Sequence, residues 1–322
     1  MFFNKILSFL LLIFAMSFLQ TVNSTTIAPP IPDYPAVKIA DNSYVIYGDL
    51  NPPNPKNKGF MNNPVFIIGT DGIIVVDPGS SVQVGEMVLR AIKKISKKPV
   101  VAVFNTHEHG DHWLGNHAIV NAYPQVKIYA HDKLVKMVKN TDVGQRWVDS
   151  MMNLTDKATE GTQVVAPDKS LQDKDIIKIA GLSIKIHHHG DAHTTTDIML
   201  EVPEKSLVIL GDNVLLGRLG QMGGGSFVGN IQALQSIIKI KAKVYVPGHG
   251  KAGDVSVPKT YLEYLETLYK WTKKFYDDGI SDFEMKEKIV PKLAKFKNWI
   301  SFDREVGRHI SIAYLQIEAT DF

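Results

Sequence analysis

The sequence predicts an α/β protein: two sheets with helices on their outer faces, followed by a helical C-terminal portion. Three observations carry that prediction. A run of strands closed by a helix occurs twice along the chain, and each strand group is too apolar to leave one face wet. The final stretch of about 70 residues, rich in Lys and aromatics, has helical spacing over Tyr261–Tyr276 and Glu305–Ile317. With 322 residues, 44% of them hydrophobic and 21% charged, the chain can bury a substantial core. That balance excludes a disordered tail, a collagen-like repeat and a polytopic membrane protein.

The N-terminus reads as a targeting segment. Lys5 precedes an apolar run from Ile6 to Leu19, and Val22-Asn23-Ser24 puts small or β-branched residues where a signal peptidase inspects them. The run is short for a bilayer span of about 20 residues, so residues 1–24 are expected to be a cleaved export signal, leaving no stable membrane span and a periplasmic or secreted product. Residues 25–36 carry Pro29, Pro30, Pro32 and Pro35 and read as an extended proline-rich arm without a packed face.

Strands are predicted over Val37–Tyr47, Pro64–Ile68 and Gly72–Asp77, where β-branched and aromatic residues concentrate. Between the first two, Asn51–Asn63 has three prolines and a glycine and reads as a loop or flap. Apolar positions Val84, Val88, Ala91, Ile92 and Ile95 mark a helix within Ser81–Lys97, before a buried strand Val100–Phe104. A helix near Trp113–Ala122, a strand Val126–Tyr129 and polar helical material from Asp132 to about Asp156 follow. The second strand group is Ile176–Ile179, Leu182–His187, Ile198–Val202 and Leu207–Leu210, then a helix Ile231–Ile240 and a strand Val244–Val246. One catalytic domain over 37–250 with a helical portion over 251–322 packed on it is the simplest account.

Charge and cysteine content narrow the chemistry. A surplus of 36 basic over 33 acidic residues gives only +3, which calls for no nucleic-acid partner, and no basic aromatic strip is present. With 0 Cys, disulfides, thiolate metal sites and cysteine nucleophiles are excluded. Metal chemistry here must use imidazole and carboxylate, a combination suited to zinc, iron or manganese.

The decisive segment is Thr106-His107-Glu108-His109-Gly110-Asp111-His112, placed on the loop after a predicted strand, where catalytic groups usually lie. His107 and His109 can point to one metal while Asp111 and His112 turn toward another. Two metals are therefore expected.

This segment, Gly72–Gly79, Ala192-His193-Thr194, Leu210-Gly211-Asp212 and Pro247-Gly248-His249-Gly250 resemble, in that order, the motifs of the metallo-β-lactamase-fold hydrolase superfamily. The resemblance covers about Val37 to Gly250 and implies a four-layer αβ/βα sandwich. It implies that His107, His109 and His193 hold the first metal, that Asp111, His112 and His249 hold the second, and that Asp212 bridges them. Asp77 is implied to sit beneath the site and orient the ligand loop. His193 is preferred over the His187-His188-His189 triplet because Ala-His-Thr matches the family pattern. His117, His131 and His309 are expected to have no metal role.

Two dications about 3.5–4 Å apart would lower the pKa of a shared water enough to supply a bridging hydroxide at neutral pH. Asp111 is then both a ligand and the group that orients the water or accepts its proton. The expectation is an exported hydrolase with two Zn2+, iron or manganese being possible in their place, acting on an ester, thioester or related carbonyl bond of a small-molecule substrate.

Lactam-hydrolysing members of the superfamily usually carry cysteine or serine where Asp212 falls, which ranks a metallo-β-lactamase acting on antibiotics second. A non-catalytic periplasmic metal-binding partner of a redox system is the third reading. His109, where diiron flavoproteins of this fold carry glutamate, speaks against oxidoreductase chemistry. The export signal and the Gly-Asp-Ala-His-Thr variant look most like periplasmic metallohydrolases associated with sulfur-oxidation or quinoprotein systems. Substrate contacts stay open: Arg218 reads either as a solvated loop residue or as a contact for an anion, and Phe60, Met61 and Trp113 either as pocket or as core.

Overall fold

A computed structural model describes residues 27–222 and 224–320, so the expected export signal lies outside the described residues. The first sheet has seven strands in sequential order: β1 (Ala36–Ala40), β2 (Ser43–Ile46), β3 (Val65–Ile68), β4 (Ile73–Val76), β5 (Val100–Phe104), β6 (Lys127–His131) and β7 (Lys169–Leu171). β1 to β4 pair antiparallel, and β4 to β7 pair parallel. Its helices are α1 (Val82–Ile95), α2 (Gly110–Trp113), α3 (Asn116–Ala122), α4 (Asp132–Asn140) and α5 (Val143–Leu154).

The second sheet runs β12-β11-β10-β9-β8, from β8 (Ile176–Ile179), β9 (Leu182–His187), β10 (Met199–Val202), β11 (Leu207–Leu215) and β12 (Val244–His249). Its strands pair antiparallel except β11 with β12. α6 (Phe227–Ile237), α7 (Ser256–Asp277), α8 (Asp282–Ile289) and α9 (Phe302–Glu318) complete the fold.

Period-two alternation explains the layering. Along β4, Ile74 and Val76 face the second sheet and pack with Ile184, Ile186, Leu200 and Ile209. Their neighbours Ile73 and Val75 face the other way, against Val84, Val88 and Ile92 of α1. β11 does the same: Leu207 and Ile209 point between the sheets, Val208 and Leu210 toward a cluster that includes Leu234, Leu268 and Ile310. Both faces of each sheet are thus apolar because both are covered, giving the four-layer αβ/βα sandwich. Each such side chain contributes about 1.5–3 kcal/mol of burial.

The structure departs from the sequence reading in five places. Val37–Tyr47 is a hairpin, not one strand, because Asn42 takes a left-handed turn (φ 51°) between β1 and β2. The helix expected near Trp113–Ala122 is two short ones, broken where Gly115 passes so close to Pro78 that a Cβ would stand 2.4 Å from the Pro78 carbonyl oxygen. β7 was not expected at all, since Lys169-Ser170-Leu171 is short and mostly polar.

The proline-rich arm has a packed face after all. Ile31 joins the α1 cluster, and Asp33 pairs with Arg90 and Lys94 at 2.6 Å each. Nor is Asn51–Asn63 a loose flap: Asn54 and Asn57 cross-link it internally, and Phe60 is buried.

The loop's far end connects the sheets. Asn63 Nδ2 donates to the carbonyls of Pro247 and Gly250, and its N–H to that of Gly248. Together with Ile198 N–H donating to Thr106 O, these bonds join the two sheets at the edge where β5 and β12 end.

Candidate metal centre

Every residue expected as a ligand arrives at that edge. β5 ends at Phe104, and the chain leaves it through Asn105-Thr106 into the turn bearing His107, His109, Asp111 and His112. His193 comes from the loop between β9 and β10, Asp212 from within β11, and His249 closes β12. His107 and His112 are fully buried, and His193, His249, Asp111 and Asp212 nearly so.

Two groups form. One atom each from His107, His109, His193 and Asp212 lie within 4.8 Å of one another, and so do those of Asp111, His112 and His249. Asp212 reaches both: its Oδ2 is 3.7 Å from His107 Nε2 and 3.6 Å from His193 Nε2, while its Oδ1 is 3.2 Å from His112 Nε2. Asp111 Oδ2 is 3.4 Å from His112 Nε2 and 3.2 Å from His249 Nε2.

Such spacings suit a shared cation. Tetrahedral bonds of about 2.0–2.1 Å to N and O put neighbouring ligand atoms about 3.3 Å apart. His107 Nε2, His112 Nε2, Asp111 Oδ2 and Asp212 Oδ1 are buried without a hydrogen-bond partner, a cost that a cation would remove. The donor set of nitrogen and oxygen fits zinc, with iron and manganese also compatible.

The remaining ring nitrogens are held from behind. Asp77 accepts from His112 Nδ1 at 2.8 Å and from the Thr106 N–H and hydroxyl, which leaves His112 Nε2 free to ligate. His249 Nδ1 donates to the Met61 carbonyl at 2.7 Å. Asp77 adopts φ 52° at this position, a left-handed conformation uncommon for non-glycine residues that its hydrogen bonds to Thr106 and His112 help to hold. Gly248 is required by proximity, since a Cβ there would stand 1.9 Å from Asp212 Oδ1.

The electrostatics follow from burial and crowding. Burial pushes His107 well below the usual histidine range, helped by His112, and takes His193 down to about 3. Burial opposes the charge on His112 too, but Asp212, Asp111 and Asp77 raise it well above that range. Asp111 and Asp212 lie well below the carboxylate range against their own burial, because His112 and His249 favour their ionised forms. A metal requires neutral imidazoles beside ionised carboxylates, so a cation binding here would take the place of the protons that the carboxylates favour on His112 and His249.

The rest of the sequence expectations divide. His117, His131, His187, His188, His189 and His309 lie in neither group. Trp113 and Phe60 are core, and Trp113 Nε1 secures the ligand turn through the Glu108 carbonyl. Met61 does line the cavity, which has a volume of about 420 Å3 and opens onto both groups.

Arg218 is not a solvated loop residue: it is 6% exposed, with Nη1 3.3 Å from His249 Nδ1. Sequence reasoning missed Trp147, Gln221, Arg304 and Arg308, which line the same cavity. Two of these stand on the last helix, where no local motif announces them. The pinning of Met61 and Asn63 to β12 was missed as well.

The comparisons agree with this geometry. The family model described as the metallo-beta-lactamase superfamily matches residues 57–249. A linear primary-alkylsulfatase from Pseudomonas sp. (strain ATCC 19151) is 26% identical over 274 residues, covering 73% of this chain and 51% of the relative. The chain thus spans about half the length of that enzyme. A hydroxyacylglutathione hydrolase from Prochlorococcus marinus (strain NATL1A) is 25% identical over 230 residues, covering 69% of this chain and 72% of the relative. Both relatives are hydrolases.

In fold, the chain is similar to a double mutant of the sec-alkyl sulfatase PisA1, with a TM-score of 0.67, 15% identity and coverage of 88% of this chain and 50% of that one. With the family match spanning more than half of its length and the sandwich of that fold built around the matched motifs, the chain belongs to the metallo-beta-lactamase superfamily.

Proposed function

We propose that the protein is a hydrolase with two zinc ions that cleaves an ester, thioester or related carbonyl bond. One observation carries the reading: the Asp212 carboxylate stands between the two groups, its Oδ2 within 3.7 Å of His107, His193 and His249 and its Oδ1 3.2 Å from His112, where a residue bridging two cations would lie. His107, His109 and His193 would hold one ion, Asp111, His112 and His249 the other. When bound, the pair supplies an acidified water near neutral pH and a Lewis acid for the carbonyl.

The chain's own residues do the rest. Asp77 and the Met61 carbonyl fix the tautomers of His112 and His249, so that neither ring turns during turnover. Asp111 orients the attacking water and takes its proton. The sheet edge keeps the reacting groups at the buried floor of the cavity, where fixed charges act more strongly than in water. The hydroxyacylglutathione hydrolase relative supports a thioester.

The alkylsulfatase relative favours a second reading, hydrolysis of a sulfate ester at the same centre. Export to the periplasm or outside the cell is inferred from Lys5 and the apolar run Ile6–Leu19 alone.

The test is a panel of esters, thioesters, alkyl sulfates and chromogenic lactams with metal-loaded protein, alongside His107→Ala and Asp111→Ala. Loss of metal and turnover in folded variants supports the assignment. A metal-replete protein inert to the whole panel would instead make it a metal-binding partner without turnover.

A further inference from the structure

The cavity above the metal centre is lined by two unlike sets of side chains. One is apolar, formed by Pro52, Pro53, Met61, Trp147, Met151 and Leu154. The other carries three guanidinium groups, from Arg218, Arg304 and Arg308, against the carboxylate of Glu305, the Asp111 and Asp212 carboxylates of the same cavity belonging to the metal centre. Arg304 Nε lies 2.6 Å from Glu305 Oε1 and Arg308 Nη1 3.5 Å from Oε2, so this buried acid neutralises part of the set and leaves it cationic.

Arg218 has a stronger claim on a ligand. It is buried, and its Nε has no hydrogen-bond partner among the described residues. A buried, unpartnered guanidinium donor costs free energy unless something completes it. The Arg218 loop and the start of α9 are joined, because Ile300, just before α9, exchanges backbone hydrogen bonds with that loop at Gly217 and Leu219.

From this arrangement, and resting on the hydrolase reading above, we propose that the substrate is an anionic amphiphile. It carries a carboxylate or comparable anion apart from the scissile carbonyl, with an apolar chain against the apolar lining residues. Arg304 and Arg308 are then specificity-determining residues supplied by α9, which lies outside the 57–249 family match. Guanidinium suits the role because its fork pairs with a carboxylate through two parallel N–H donors. The apolar lining supplies affinity without selecting a particular chain length.

Metal-loaded protein is assayed on 4-nitrophenyl hexanoate and on its ω-carboxylate counterpart, mono-4-nitrophenyl adipate. The expected ratio of kcat/KM, adipate over hexanoate, is about tenfold or more, falling toward one in Arg304→Gln/Arg308→Gln. That variant strands buried Glu305, so R304Q/E305Q/R308Q, which leaves no unpaired charge, is measured beside it and should show the same fall. A wild-type ratio near one, or a ratio that neither variant lowers, overturns the proposal.

If neither ester is cleaved, the hydrolase reading is left to the wider substrate panel, and calorimetry with octane-1-sulfonate and octan-1-ol decides the inference. Wild-type preference for the sulfonate by about tenfold, lost in both variants, supports it. Equal binding, or a preference that survives the substitutions, overturns it.

Discussion

Asp77 and His112 stand 35 residues apart in sequence and 2.8 Å apart in space, carboxylate Oδ2 to ring Nδ1. The same carboxyl group accepts the Thr106 N–H at 2.8 Å and its hydroxyl at 2.7 Å. One side chain at the end of β4 therefore sets both where the ligand turn begins and which nitrogen of His112 faces the cavity.

Asp77→Asn is expected to weaken metal binding by roughly 10–100-fold with the fold retained, because the amide turns a donor toward partners that are themselves donors. Competition with a chromogenic chelator reads the affinity, and circular dichroism reads the fold. Unchanged affinity would show that the turn holds its shape without Asp77.

Asp212 and His249 separate a two-ion centre from a one-ion centre. His249→Ala should bind about one equivalent of zinc where the wild type binds about two, since His249 belongs only to the Asp111 and His112 group. Asp212→Ala should lose occupancy at both positions and lower kcat by at least about a hundredfold, the scale of losing a group that stabilises transition-state charge. Elemental analysis after gel filtration gives the stoichiometry. One equivalent in the wild type, or retention of both ions in His249→Ala, would count against the bridging arrangement.

The legible part of this centre is the part that chemistry confines to a few adjacent residues. His107 to His112 can be read directly because ligand type and spacing coincide on one turn, and His193, Asp212 and His249 because each follows or closes an apolar run, although β11 continues past Asp212 to Leu215. The layers were readable for a related reason: β4, β5 and β11 are apolar on both faces, which only a covered sheet tolerates. What escaped depends on tertiary context. Arg218 has the local sequence of a solvated loop residue and is buried where Ile300 pairs with its neighbours and His249 lies against its guanidinium. Arg304 and Arg308 occupy ordinary helical positions, and nothing within α9 says that they face a cavity built by other elements. Ile31 is an isolated apolar residue among prolines, so its packing against α1 left no periodic signal.

His309 links the helical C-terminal portion to the cavity. Its Nδ1 accepts from the Tyr264 hydroxyl and its Nε2 donates to the Gly220 carbonyl, both at 2.8 Å, and Gly220 and Gln221 line the cavity. His309→Leu strands two buried polar groups and is expected to cost about 2–3 kcal/mol. His309→Gln, which retains a donor for Gly220, should cost less. Because the affected loop lines the cavity and supplies no metal ligand, KM should rise further than kcat falls. Urea unfolding together with steady-state kinetics checks both, and a kcat loss at constant KM would place the effect at the metals instead.

A last prediction concerns acid stability away from the centre. His131 stacks on His188 with ring centroids 4.0 Å apart, and burial, then His188 and Lys133, take its pKa from 6.5 to about 4. The sign follows from proton counting. Between pH 6.5 and 4 the unfolded chain holds a proton on this residue and the native state does not, so stability falls as pH drops through that window and levels off below it. Solvent screens the half-exposed Lys133, which leaves roughly 1–2 kcal/mol for the whole window. His131→Phe keeps the stack and removes the titration, and His131 Nδ1 has no hydrogen-bond partner to lose. Urea unfolding at pH 7.5 and 4.5 should therefore show the wild type losing about 1–2 kcal/mol more than the variant. Metal release at low pH is common to both proteins and cancels in that difference. Equal losses would mean that His131 titrates alike in the folded and unfolded chains.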